Sequence, residues 1–203
     1  MENSIINEVK TYVANILKNE LSQDMTYHSL KHTEEVVKSS LEIARKQGVS
    51  KGDELIIHIA AWFHDLGYSK GCENHEETGA SMAQAFLKDK GWSQSKINQV
   101  IGCIMATQMP QNPQNSLEKI VCDADLMHLA RPDYLKKADL LHKEIQKVKD
   151  MEISDGEWLK MNEEFLGKHC FFTEYAKKNY EPAVKANLKK VTERLKSWKK
   201  KTK

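Results

Sequence analysis

Long apolar runs are missing from this 203-residue chain. No stretch approaches the roughly 20 residues that span a bilayer, and Met1-Glu2-Asn3-Ser4 lacks a signal-peptide pattern. No membrane partner is expected, and the expected location is the cytoplasm. Cysteine is scattered: Cys72, Cys103, Cys122 and Cys170 form no Cys-x-x-Cys pair. Zinc-finger and dithiol motifs therefore have no support, and reduced thiols are the simplest account. An excess of charge of one sign is missing too. The net charge of +2 is too small to argue for nucleic acid as a partner, and the lysine-rich end from Lys199 to Lys203 reads as solvated. There is no internal repeat and no alternating strand pattern.

What is there is helical periodicity. Ile5, Ile6, Val9, Val13, Ile16, Leu17 and Leu21 form a stripe. A second helix is expected from about Ser29 to Lys46. A third ends at Ala60-Ala61-Trp62-Phe63-His64-Asp65, with Gly67 placed to stop it. Ser69 to Asn74 reads as a loop. Helical spacing resumes at Ala80 to Leu87 and again at Ile97 to Ile104. Met109 to Asn115 holds two prolines and four amides, a clear break. Further helices are expected over Ser116–Leu129, Tyr134–Lys149 and Gly156–Lys168, and Pro182 interrupts or starts the last. The expectation is one domain over residues 1–203, all-α, a compact multi-helix bundle.

The chemistry sits at the adjacent His64-Asp65 pair. A carboxylate buried beside an imidazole is costly unless something pairs with it, and a divalent metal is one such partner. Upstream, His28 and His32 are four apart and share a helix face if Tyr27-His28-Ser29-Leu30-Lys31-His32 opens the second helix. Downstream, Cys122-Asp123-Ala124-Asp125 follows an apolar run and carries two carboxylates. Imidazoles with carboxylates suit Zn, Mn, Fe, Ni or Co and leave positions open for water. His58, His128, His142 and His169 read mostly as structural, with His128 close in sequence to Asp125.

The order His32, His64-Asp65, Asp125 resembles the HD-domain superfamily of metal-dependent phosphohydrolases. The resemblance covers about residues 25–130, with residues 131–203 a helical extension that carries no motif. It implies an all-helical core with a divalent metal ion (Mn, Zn, Fe, Ni, Co or Mg) held between helices by His32, His64, Asp65 and Asp125. Asp123 is the competing last ligand. It implies hydrolysis of a phosphate ester or anhydride, with a small phosphorylated substrate such as a nucleotide as partner, and Asp65 touching the attacking water. Tyr27-His28 with His32 resembles the run in cyclic-nucleotide phosphodiesterases, where the first histidine protonates the leaving oxygen. His75, in Asn74-His75-Glu76-Glu77-Thr78-Gly79-Ala80, resembles a histidine of two-metal members. Those members end the following helix in further histidines, whereas Ile104 to Gln108 has none. His75, Lys31 and Thr107 are the expected substrate contacts. Alternatives are a cyclic-nucleotide phosphodiesterase and a non-catalytic nucleotide-binding sensor; a hydrolase of ppGpp fits less well because Leu66-Gly67-Tyr68 follows the His-Asp pair. An all-helical surface with a long C-terminal stretch could form a homodimer.

Overall fold

The apolar stripes read from the sequence become nine α-helices among the described residues, with no strand. A computed structural model of the protein describes residues 2–201. Met1, at the head of the stretch read for a signal pattern, and Thr202 and Lys203, at the lysine-rich end, lie outside the described residues. The helices are α1 (Glu2–Asn19), α2 (Leu30–Gln47), α3 (Lys51–Phe63), α4 (His75–Asp89), α5 (Gln94–Met105), α6 (Ser116–Asp125), α7 (Tyr134–Val148), α8 (Asp155–Lys168) and α9 (Glu174–Lys201). Short 3₁₀ turns cover Leu66–Ser69 and Leu126–Ala130. No helix among the described residues is long and apolar enough to cross a membrane.

The chain forms two compact units. One runs up to Gln23 and resumes over His28–Asp125; the other takes Asp24–Tyr27 and the chain from Leu126 onward. In the first, α3 is the central element and packs against α1, α2, α5 and α6. Ile56, Ile57, Ile59, Ala60, Ala61, Trp62 and Phe63 are all buried, so α3 is apolar on nearly every side, as a helix surrounded by others must be. Ser50 starts α3, its hydroxyl accepting from the Asp53 N–H at 3.1 Å. Tyr12, Phe63 and Phe86 bring α1, α3 and α4 together, with ring centroids 4.8 to 6.0 Å apart. In the second unit Leu129, Leu159, Leu166, Phe171, Val184, Val191 and Leu195 form a separate core.

Three boundaries depart from expectation. α3 ends at Phe63, and Gly67 lies inside the following 3₁₀ turn rather than stopping a helix. Its reason is space: a Cβ on Gly67 would lie 1.9 Å from the carbonyl oxygen of His75 and 2.9 Å from the nitrogen of Gly79. Gly79 is equally confined, its Cβ falling 2.8 Å from the Phe63 carbonyl. Two glycines thus let the start of α4 lie backbone to backbone on the end of α3. Secondly, α6 stops at Asp125 and tightens into 3₁₀ geometry, where continuous helix to Leu129 was expected. Thirdly, α9 begins at Glu174 and runs through Pro182. An interior proline costs about 3 kcal/mol; buried Ala176, Val184, Asn187, Val191 and Leu195 supply the packing that holds the helix across it.

The glycine contact makes a prediction. Gly67→Ala should destabilise the protein by about 3 kcal/mol, because backbone must move to admit one methyl. Gly167→Ala, within α8 and with nothing within 4 Å of the added carbon, should be neutral or gain up to about 1 kcal/mol. Urea midpoints of the two variants would decide; equal stabilities would remove the close-approach argument.

Candidate metal centre and its surroundings

Three helices bring four side chains to one point. His32 lies one turn into α2, His64 and Asp65 follow the last turn of α3, and Asp125 ends α6. His32 Nε2 stands 3.3 Å from Asp65 Oδ2 and 3.3 Å from Asp125 Oδ1. His64 Nε2 stands 3.1 Å from Asp65 Oδ2 and 3.6 Å from Asp125 Oδ1. The ligand atoms of His32, His64 and Asp125 all lie within 4.8 Å of one another. A metal held at about 2.1 Å separates neighbouring ligand atoms by about 3.0 Å in an octahedron and about 3.4 Å in a tetrahedron. Three of the four spacings, 3.1 to 3.3 Å, fall in that range, and the fourth, 3.6 Å from His64 Nε2 to Asp125 Oδ1, lies just beyond it.

The surroundings aim these atoms inward. His64 is fully buried, and its Nδ1–H donates to the Ala61 carbonyl at 2.9 Å. A carbonyl only accepts, so the neutral ring keeps its Nε2 lone pair for the cluster. His64 Nε2 and Asp65 Oδ2 are both buried and, though 3.1 Å apart, are not aligned to hydrogen-bond. Two buried polar atoms left so, facing a common centre, fit a shared cation. Gln111 Nε2 donates to Asp125 Oδ2 at 3.4 Å and to the Cys122 carbonyl at 3.3 Å, tying the last carboxylate to its own helix. Asp123 is buried, but two residues along a helix is roughly 200° of rotation, which turns it from the face that Asp125 presents.

Charge follows the geometry. Burial alone would push His32 and His64 down, but the carboxylates against them win. Asp125 and Asp65 hold His32 above its ordinary value, and Asp65 with Asp125 holds His64 well above it. Burial would likewise raise Asp65 and Asp125; the imidazoles of His64 and His32 hold Asp65 well below the usual carboxylate range, and those of His32 and His64 do the same for Asp125. With no cation bound, these shifts favour protons on the histidines as the counter-charge.

Outward from the cluster lies a stack of three rings. His28 is half-buried, and its ring stacks on Tyr68 at 4.3 Å. The His75 ring stacks on the same Tyr68 at 3.8 Å. His75 Nδ1–H donates to the Cys72 carbonyl at 3.3 Å, and its Nε2 lies 3.8 Å from Asp65 Oδ1 and 3.2 Å from Glu76 Oε1. Lys31 is exposed. Thr107 is buried and its hydroxyl donates to the Ile104 carbonyl at 2.8 Å, so a substrate would meet only its oxygen lone pairs. His58 is half-buried, and burial lowers its pKa. In the second unit His128 lies edge-on to Tyr27, and His142, for which the sequence offered no partner, stacks on Trp158 at 4.9 Å with its Nε2 2.8 Å from the Ile153 carbonyl. Tyr68, Glu76 and Gln111 are the neighbours that sequence reasoning did not single out.

Comparison with known proteins bears on family and fold. A family model described as HD domain matches residues 29–130. Ribonuclease Y of Aster yellows witches'-broom phytoplasma is 28% identical over 116 residues, 54% of this chain and 20% of that protein. The chain thus spans about a fifth of the length of the curated relative it matches. A predicted HD superfamily hydrolase from an uncultured Thermotogales bacterium superposes with a TM-score of 0.60 at 21% identity, covering 95% of this chain and 92% of that one. The Lin1889 protein of Listeria innocua gives 0.64 at 19% identity, covering 97% and 98%. Bacillus subtilis YpgQ, solved in complex with ADP, gives 0.65 at 20% identity, covering 97% and 96%. At these identities the likeness is one of fold.

The pKa directions carry a sign. A histidine raised on folding contributes stability that is complete below its ordinary value near 6.5 and is lost as pH rises through the raised value. Chelator-treated protein should therefore lose that support as pH rises, while a divalent cation takes the protons' place and binds more tightly as they leave. The gap in Tm between metal-loaded and chelator-treated protein should widen from about pH 6 to about pH 8. A gap that narrows over this range would contradict the cluster as the metal's site.

Proposed function

The chain belongs to the HD-domain family, and on that premise we propose that it hydrolyses a phosphate ester or anhydride of a small nucleotide, with His32, His64, Asp65 and Asp125 as ligands of a divalent metal ion. The observation that carries the reading is the convergence of two imidazoles and two carboxylates at spacings of 3.1 to 3.6 Å. When bound there, the metal would lower the pKa of a water and polarise the phosphoryl oxygen. The protein's own groups do the rest. Asp65 turns Oδ2 towards the histidine pair and Oδ1 towards His75, which leaves Oδ1 to orient the attacking water. His28 stands beside His32, its ring 5.8 Å away and edge-on, and is assigned the transfer of a proton to the leaving oxygen, a task suited to an imidazole in neutral solution. His75 and Lys31 contribute positive charge or N–H donors to the phosphate, and Thr107 offers a lone pair that accepts from a water beside it.

The nucleotide part of the proposal draws on the ADP held by YpgQ, which shares the fold. It is tested by chromatographic separation of the product nucleotides, with phosphate release measured in parallel, across mono-, di- and triphosphates and cyclic nucleotides with Mn²⁺, Zn²⁺ or Mg²⁺ added. Turnover of cyclic nucleotides alone would favour the phosphodiesterase alternative; nucleotide binding without turnover would favour the sensor.

His28→Ala should keep its metal and lose roughly 10²- to 10⁴-fold in turnover, the usual worth of general acid catalysis. The loss should shrink for a nitrophenyl ester, whose leaving group departs without a proton. Asp65→Ala should lose metal and turnover together. Equal losses for His28→Ala on good and poor leaving groups, at matched metal content, would take the acid role from it.

A further inference from the structure

We infer that Tyr68 is a positioning residue whose ring, clamped between the imidazoles of His28 and His75, sets where both stand beside the ligand cluster. This rests on the proposed role of the two histidines at the phosphate, and it adds a residue whose part neither the family resemblance nor the motif spacing assigns.

The geometry is that of a sandwich. The Tyr68 centroid lies 4.3 Å from that of His28 with planes 24° apart, and 3.8 Å from that of His75 with planes 20° apart. Two near-parallel rings this close to one centroid would overlap if they shared a face. They therefore occupy opposite faces, and the phenol ring is the spacer between them. The three rings come from three stretches of backbone: His28 precedes α2, Tyr68 belongs to the 3₁₀ turn Leu66–Ser69, and His75 opens α4. One aromatic ring thus ties two otherwise independent side chains into a single wall.

The wall borders the ligand cluster. His75 Nε2 is 3.8 Å from Asp65 Oδ1, and the His28 ring meets the His32 ring edge-on at 5.8 Å. The backbone is arranged to permit it. Gly67, next to Tyr68, admits the His75 carbonyl to within 1.9 Å of where a Cβ would sit; a side chain there would push α4, and His75 with it, away from Tyr68. His75 has a second hold in its bond to Cys72. Holding both rings before a ligand arrives removes the cost of ordering them on binding, and misplacement by about 1 Å is enough to cost a reacting group roughly 10²-fold. A tyrosine that only filled space would be replaceable by leucine, which is apolar and smaller but offers no flat face.

The test uses full-length, metal-loaded protein, with inorganic phosphate as the probe. Tyr68→Leu is expected to weaken phosphate binding by roughly 10-fold at unchanged metal content, whereas Tyr68→Phe, which keeps the ring, stays within about 3-fold of the parent. In the His28→Ala/His75→Ala background Tyr68→Leu should have no further effect, because it acts through those rings. An additive loss in that background, or equal losses in the phenylalanine and leucine variants, would overturn the proposal. NMR supplies a readout that needs neither phosphate nor folding of a variant: in the unaltered protein the Tyr68 ring protons should show cross-relaxation to both imidazoles, and absence of either contact would also overturn it. If no phosphate compound is turned over while this pattern holds, the hydrolase reading fails and the positioning role stands.

Discussion

Two imidazoles and two carboxylates, all buried but for the half-buried Asp125, govern the architecture of the first unit. Taking ionised groups out of water costs several kcal/mol each unless their charges are matched at close range. Here the match requires α2, α3 and α6 to meet at one point, and α3 carries two of the four groups just beyond its last turn. That demand explains why α3 is apolar on nearly all sides: it must be enclosed for His64 to be enclosed. It also explains the bond from His64 Nδ1 to Ala61, which commits one ring nitrogen to the backbone and gives the other to the cluster.

Much of this was legible in the chain, for physical reasons. Buried helices write their period into the sequence, so α1 to α8 could be read from apolar spacing. Adjacent His64-Asp65 after an apolar run is conspicuous because a core seldom accepts such a pair. Asp125 could be preferred to Asp123 only through the resemblance, and a helix rotation of roughly 200° between them now gives the preference a geometric basis. Gly67 was read as a helix stop because a glycine after a helix usually is one; its close approach depends on His75, at the start of the next α-helix, which no local pattern records. Pro182 was read as a break, since local propensity disfavours an interior proline and only the packing of α9 overrides it.

What stayed hidden shares a feature. Tyr68, Glu76 and Gln111 lie in a tight turn, a polar helix start and a proline-rich break, where side chains follow no period. Glu76 is buried in a run of charged residues that reads as solvated. Gln111 sits among amides with no sign that one of them reaches Asp125. These residues support the cluster rather than form it, and support of this kind is set by tertiary contact. The cluster is therefore enclosed by helices on one side and bordered by the His28, Tyr68 and His75 rings on another, an arrangement suited to holding an ion while presenting N–H groups to an anion.

The most direct measurement is anomalous diffraction from crystals grown with Mn²⁺. One strong peak is expected about 2.0–2.3 Å from His32 Nε2, His64 Nε2, an oxygen of Asp65 and an oxygen of Asp125. A peak bound by Asp123 instead, or none at these four side chains in protein that retains manganese, would contradict it.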